Sequence, residues 1–367
     1  MEQNKENILL VTSEFPPLPG GIGNHAYNLA KHLKINGFNT SVITDQRSKS
    51  QTERDFDSKL KFKVYRIRLK RFRVFMYVER IFLMLKLIKS NKIVIASGKF
   101  SLWMVAFCSL FYKRKYIAVI HGSEVNFSNP ILKKSINASL KKFQKIVAVS
   151  NYTKNLVSHL KLKNVIVIPN GFDKSKWINT SKECINLKGD PKLLTVGNVT
   201  ERKGQLNVIK HLPDIITLYP NIHYHCVGLK TESGKFNEEA KRLGVESYVT
   251  FHGKVEHENL ISFYSNSDIF VMLSNVTRTG DIEGFGIAIL EANYFGLPAI
   301  GSLNCGIEDA IKNNKSGILI NQDITEDFKN AINEVITRNK EFELEAKSWA
   351  LKHTWNIVIQ QYIKEIN

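Results

Sequence analysis

Two carboxylates separated by seven residues, Glu283 and Glu291, bracket the most chemically loaded stretch of the chain, Gly280-Asp-Ile-Glu283-Gly284-Phe285-Gly286-Ile-Ala-Ile-Leu-Glu291-Ala. Glycines at 284 and 286 leave Glu283 in a loop and set Glu291 two turns into the following helix, so both acids can face a ligand above the helix start. A carboxylate accepts paired hydrogen bonds from a vicinal diol, which suits ribose or hexose hydroxyls. The helix start offers backbone N–H groups to the negative charge that builds on a departing diphosphate. Two acids so spaced also describe an ordinary helix edge; the flanking glycines weigh against that. Upstream, Val196-Gly197-Asn198-Val-Thr-Glu-Arg202-Lys203-Gly204 closes a strand and opens a helix. Lys203 can act there as a point charge against a diphosphate, although a solvated Arg-Lys pair in a turn describes the stretch equally well in isolation.

The first half carries quieter signals of the same kind. Pro16-Pro-Leu-Pro-Gly20-Gly21-Ile-Gly23-Asn-His25 precedes a helical Tyr27-Asn-Leu-Ala, and its glycines let backbone N–H groups approach a phosphate. Gly21, Gly23 and Ala26 also fit a dinucleotide fingerprint, with Asp45 about 20 residues on, as an NAD(P)-dependent oxidoreductase would require. Three prolines between strand and glycines argue against it, because the dinucleotide turn follows its strand directly. His121-Gly-Ser-Glu124 and Ile168-Pro-Asn170-Gly171 each follow a strand as well. Each is weak alone, since a lone His is more often a cap or core residue and Asn-Gly is a common turn. Their ordered co-occurrence is not weak.

What positions these loops is an alternation of short β-branched runs with longer helical patterns. The runs begin at Ile8, Ser41, Ile93, Ile117, Ile146 and Val165, and again at Leu193, His223, Val249, Ile269, Pro298 and Gly317. Such alternation reads as α/β, doubly wound parallel sheet, in which ligands sit at the carboxyl ends of the strands. The aperiodic polar stretch 173–190 separates the two series and is the expected linker, while the tail from about Glu341, with Trp349, Trp355, Ile359 and Tyr362, reads as terminal helices.

Composition narrows the class. A chain of 367 residues, 43% apolar, can bury two cores. Cys108, Cys184, Cys226 and Cys305 are scattered, suggesting neither zinc nor a disulfide framework, and fit a reducing cytosol. The N-terminal apolar run is too short for a secretory signal, and the apolar stretches 74–88 and 100–112 fall short of a bilayer span. Net charge is one-sided: 32 Lys and Arg face 10 Asp and Glu through Lys176, against 20 and 24 thereafter. Lys59–Lys92 holds twelve of those cations and one acid, Glu79. Basic residues interleaved with aromatics suit anionic lipid headgroups; no nucleic-acid motif accompanies them, and a solvated strand with a core helix is the plain alternative.

Taken together, these stretches resemble the retaining family 4 glycosyltransferases, in order over nearly the whole chain. The resemblance implies the GT-B fold, two Rossmann-like domains facing each other across a cleft: an acceptor-binding domain over 1–172, a nucleotide-sugar domain over 173–345, and a helix over 346–367 that packs back on the first. It implies a hexosyl transfer that needs no metal or other cofactor, from a UDP- or GDP-linked donor to a glycan or lipid-linked acceptor, as in bacterial surface-polysaccharide assembly. His121 and Glu283 would be catalytic, with His121 beside the donor sugar. Gly21, Gly23, Asn170, Arg202, Lys203, Phe285, Gly286 and Glu291 would bind the donor, Lys203 at the diphosphate and Glu291 at the ribose, with Glu124, Asn198 and Arg278 as secondary candidates. The expected place is cytoplasmic, extending to a peripheral position on the inner membrane face through 59–92. One departure stands out: Asn198 occupies a position where the family commonly has Arg, leaving Arg202 or Arg278 to supply the charge. Asp55-Phe-Asp57 matches the D-x-D metal motif of the other major fold but lies in a charged loop far from the rest, and reads as surface. A non-catalytic sugar-nucleotide binder remains as a third class, separable by donor hydrolysis.

Overall fold

The computed structural model describes residues 6–18, 20–48, 51–177 and 185–367. Pro19, Cys184 and the 178–184 part of the expected linker lie outside that range, and of Arg73 only the backbone is described. Two compact units result, one formed by Met1–Gly171 with Trp355–Asn367 and the other by Phe172–Thr354.

The first unit runs β1 (Asn7–Thr12), α1 (Gly21–Ile35), β2 (Asn39–Asp45), α2 (Thr52–Ser58), β3 (Lys63–Ile67), α3 (Arg73–Ile88), β4 (Ile93–Ser97), α4 (Lys99–Cys108), β5 (Lys115–Ile120), α5 (Pro130–Leu140), β6 (Lys145–Ala148), α6 (Asn151–Asn155) and β7 (Val165–Val167). Its strands form one parallel sheet in the order β3-β2-β1-β4-β5-β6-β7. Register pairs Ile8 with Thr40 on one side of β1 and with Ile93 on the other. Residues 8–12 of β1 and all of β4 are buried, as β-branched runs covered by helices on both faces must be.

The second unit runs β8 (Lys192–Val196), α7 (Gln205–Ile215), β9 (His223–Val227), α8 (Ser233–Arg242), β10 (Val249–Gly253), α9 (His257–Ser265), β11 (Ile269–Met272), α10 (Ile287–Tyr294), β12 (Ala299–Ser302), β13 (Gly317–Ile320), α11 (Thr325–Thr337) and α12 (Asn339–Leu351). Its parallel sheet has the order β10-β9-β8-β11-β12-β13. In both sheets the strand order reverses beside the first strand of the unit, at β1/β4 and at β8/β11. That reversal is where a doubly wound sheet opens a crevice at its carboxyl edge.

The chain then returns to the first unit as α13 (Trp355–Ile366), which packs on α1 and buries Trp355, Val358, Ile359 and Tyr362. The boundary drawn from sequence at 345/346 falls inside α12, which remains in the second unit and packs on α10; the crossing comes at Trp355. Two other local expectations change, while the alternating segment after Lys61 contributes the strand of the plain alternative, β3, at the sheet edge against β2. Asp55 and Asp57 lie on a helix, α2, not in a loop, and Asp57 receives the Arg66 Nε–H at 2.7 Å. Gly21 and Gly23 open α1 itself instead of preceding it. Among the described residues, no helix is long and apolar enough to cross a membrane. Cys108, Cys226 and Cys305 are buried and unbonded.

Candidate active site

In the second unit, the loop after β8 and the loop leading to α10 bring four charged side chains together. Lys203 Nζ lies 2.8 Å from Glu283 Oε2, and the Arg202 guanidinium donates to the same oxygen. Arg202 Nε also reaches Asp281 Oδ2 at 3.2 Å. Burial works to raise the Glu283 carboxyl, but Lys203 and Arg202 outweigh it and hold the group down at about 2. Arg202 is pushed up in return, first by Glu283.

Backbone geometry explains why glycines are needed here. Gly286 caps α10 in the left-handed region, at φ 90°, which turns the chain from the acid-bearing loop into the helix and leaves the first backbone N–H groups of α10 free of a side-chain cap. Gly204, at φ 77°, ends the 3-10 turn that carries Arg202 and Lys203 and opens α7. A Cβ at Gly204 would lie 1.8 Å from the Leu273 carbonyl oxygen, so the loop after β8 can lie against the end of β11 only without a side chain there.

Glu291 sits on the second turn of α10, where Tyr264 donates its hydroxyl to Oε2 at 3.2 Å. Burial pushes this carboxyl up to about 7, against the pull of Lys176, Tyr264 and Lys203. The two acids are thus set apart electrostatically, Glu283 ionised throughout and Glu291 poised near neutrality. Asn198 is exposed, and its carbonyl accepts from Gln205 Nε2 at 3.1 Å. Of the two arginines able to replace a missing charge, Arg202 stands on Glu283 while Arg278 is exposed. Phe285, expected to bind the donor, turns its ring into the interior, 6.4 Å from the His353 ring, so it offers a ligand no ring face.

The first unit holds Gly21, Gly23, His121, Glu124 and Asn170. His121 directly follows β5, its Nε2 2.9 Å from Ser97 Oγ at the end of β4. Burial carries its imidazole down to about 4, so the ring is neutral at pH 7. The Glu124 carboxylate accepts the His121 backbone N–H through Oε1 and closes the turn. Its other oxygen is buried without a hydrogen-bond partner, and burial pushes the carboxyl up to about 7. Gly21 has open space where a side chain would go, whereas a Cβ at Gly23 would come 3.1 Å from the Glu14 and Phe15 backbone. Asn170 is buried with Oδ1 unpaired. Asp45, the acid that the dinucleotide reading wanted for a ribose, is instead paired with buried Arg80.

Sequence reading passed over the second layer. His25, on α1, packs its ring edge-on against His121 with centroids 4.9 Å apart, and its Nε2 lies 3.0 Å from the Tyr362 hydroxyl on α13. Trp355 closes the other side of His25 at 5.2 Å. Both ends of this contact were visible as residue types, but 337 positions of sequence separate them. Among the described residues, no group of three His, Cys, Asp or Glu is placed to hold a metal ion.

Comparison with known proteins agrees with this division. The family described as Glycosyltransferase Family 4 matches residues 19–176, and Glycosyl transferases group 1 matches residues 178–349. A GDP-mannose-dependent alpha-(1-6)-phosphatidylinositol monomannoside mannosyltransferase of Mycolicibacterium smegmatis is 23% identical over 368 residues, 94% of each chain. Among solved structures, a glycosyltransferase from Rickettsia africae superposes with a TM-score of 0.78 at 21% identity, over 99% of this chain and 98% of that one. Anabaena HepE in complex with UDP and glucose gives 0.78 at 17%, over 98% and 99%.

Proposed function

The chain is a glycosyltransferase of the family 4 type with the GT-B fold, and on that premise we propose that it moves a hexosyl unit, with retention of anomeric configuration, from a UDP- or GDP-linked sugar to a glycan or lipid-linked acceptor. The observation that carries this reading is the Glu283 carboxylate held between Lys203 and Arg202 at the Gly286-capped start of α10, with Glu291 two turns on.

The chemistry follows from exchange of partners. A diphosphate brings more charge to Lys203 and Arg202 than one carboxylate does, so its arrival frees Glu283, ionised down to about 2, to accept hydrogen bonds from the sugar hydroxyls. As the glycosidic bond breaks, charge grows on the leaving diphosphate, where the two cations and the α10 N–H groups stabilise it. These groups do the work that a carboxylate-held metal does elsewhere, which supports a metal-independent transfer. Glu291 accepts from the ribose diol. His121, neutral and braced by Ser97, is assigned to the transferred sugar. The relative's GDP-mannose and phosphatidylinositol mannoside favour a mannosyl donor and a lipid-linked acceptor, while the UDP and glucose of HepE keep UDP-sugars in view. Surface-polysaccharide assembly on the inner membrane face is the setting we propose.

Thermal shift against UDP-glucose, UDP-galactose, UDP-N-acetylglucosamine and GDP-mannose, followed by NMR of the product anomer, tests this. One donor should stabilise the protein and yield a product of unchanged configuration; stabilisation by none of them, or an inverted product, overturns the corresponding part of the proposal.

A further inference from the structure

Helix α3 buries one face and carries a second, apolar line on its outer side. Met76, Arg80, Met84 and Ile88, at i, i+4 spacing, form the buried face. Phe75, Val78 and Phe82, at i, i+3, i+7, form a second line that points outward, with Phe75 57% and Phe82 70% exposed. Phe72, just before the helix, is exposed too and touches the Phe75 ring at 6.3 Å. A helix on the surface of a folded unit needs one apolar stripe, and single exposed apolar residues are ordinary; a continuous outward line with three phenyl rings is not.

Exposed cations rim this line: Arg68, Lys70 and Arg71 ahead of the helix, Lys86 and Lys89 at its end. The sole acid of α3, Glu79, is bound to Lys70 at 2.6 Å, which leaves the rim positive. We infer that α3 is a docking helix that lies in the plane of an anionic bilayer, with Phe72, Phe75 and Phe82 entering the headgroup boundary and the cations meeting lipid phosphates. Charge selects this occupant. A second copy of the chain would bring the same cations against these, whereas an anionic membrane rewards the phenyl rings and the cations together.

The helix is also joined to the site. Tyr77 contacts Phe100 at 5.4 Å, Phe100 contacts Trp103 at 5.8 Å, and Trp103 stacks on Phe127 at 5.9 Å, in the segment that begins at His121. A row of aromatic rings therefore runs from the docking helix to the loop that bears His121. The functional meaning of docking rests on the proposed lipid-linked acceptor, but docking itself is measurable with no donor or acceptor, so the two readings fail separately.

The test is co-sedimentation of the full chain with vesicles of mixed phosphatidylcholine and phosphatidylglycerol, and with phosphatidylcholine alone. The wild type should pellet with the anionic vesicles and keep part of its binding at about 1 M salt, where exposed charges are screened within roughly 3 Å. Phe75→Ser with Phe82→Ser should lower the partition coefficient at least about tenfold, given the apolar area withdrawn from the boundary. Against the background of the four native tryptophans in the wild type, the difference emission of Phe82→Trp should shift to the blue on vesicles and be quenched by brominated acyl chains, which keeps the test alive should the serine pair disturb folding. A wild type that stays in the supernatant, a serine pair that pellets like the wild type, or an unquenched Trp at position 82 overturns the inference.

Discussion

Glu291 offers the sharpest quantitative test of how the donor is held. Its carboxyl is pushed up to about 7 by burial, so ionisation falls in the working pH range, while Glu283, at about 2, does not titrate there. If the ionised carboxylate accepts from the ribose diol, donor affinity should follow its ionised fraction. That fraction drops from about nine-tenths at pH 8 to about one-tenth at pH 6, so the donor Kd should rise roughly tenfold over the interval, or about 1.4 kcal/mol. Titration calorimetry with an intact nucleotide sugar is the assay of choice, because its diphosphate is a diester and does not titrate near neutrality, unlike a free nucleoside diphosphate. Glu291→Gln should flatten the profile and set affinity near or below the acid limit of the wild type. A wild-type Kd constant between pH 6 and 8, or a Gln variant that keeps the slope, refutes the assignment of Glu291 to the ribose. Stability should move the opposite way. A carboxyl whose folded pKa lies above its unfolded value is a stabilising asset in acid, lost as pH rises from the usual glutamate range through about 7, so without donor the melting temperature should fall on that climb in the wild type more than in Glu291→Gln.

Lys203→Ala should lose more donor kcat/KM than Arg202→Ala, roughly 10- to 100-fold, the equivalent of one charge-assisted contact of about 1.5–3 kcal/mol; equal losses would mean that the diphosphate lies elsewhere. Transfer should persist in EDTA, and activity abolished by the chelator and restored by manganese or magnesium would contradict a cation-and-backbone site. Gly204→Ala should lower stability by about 2 kcal/mol or more, through its positive φ and the Leu273 carbonyl in its way, whereas Gly21→Ala, with open space around it, should be close to neutral; paired thermal melts decide this.

The parallel architecture was legible because β-branched runs bounded by helical patterns leave little choice, and the loops after β5, β8 and β11 were legible because glycines beside charged residues at strand ends have few other uses. The edge strand β3 was harder to read. Basic residues (Lys61, Lys63, Arg66, Arg68) are interleaved with apolar ones (Phe62, Val64, Ile67, Leu69) around it, with the alternation broken at Tyr65, and that pattern describes a membrane-facing segment as well as a half-solvated edge. Position in a motif also says nothing of rotamer: the Phe285 ring lies in the core. What no local pattern could give is pairing at long range: Arg80 with Asp45, Tyr264 with Glu291, His25 with Tyr362. Each joins separate elements through tertiary packing, and each orients a group that sequence had singled out or passed over.

The return of α13 to the first unit has a consequence for biogenesis. Translation delivers Phe172–Thr354 as one uninterrupted stretch, but it withholds Trp355, Ile359 and Tyr362 from the unit that was begun first. N-terminal domains generally fold first during synthesis, but here the last piece of the first unit leaves the ribosome only after the whole of the second. Until the segment from Trp355 emerges, α1 lacks the helix that covers it, and His25 has neither its hydroxyl partner nor its indole neighbour. A nascent chain stalled or cut before that point would carry a finished second unit beside a sticky, incomplete first one, and a premature stop codon close to the end should act as a folding defect well before it acts as a loss of any catalytic group.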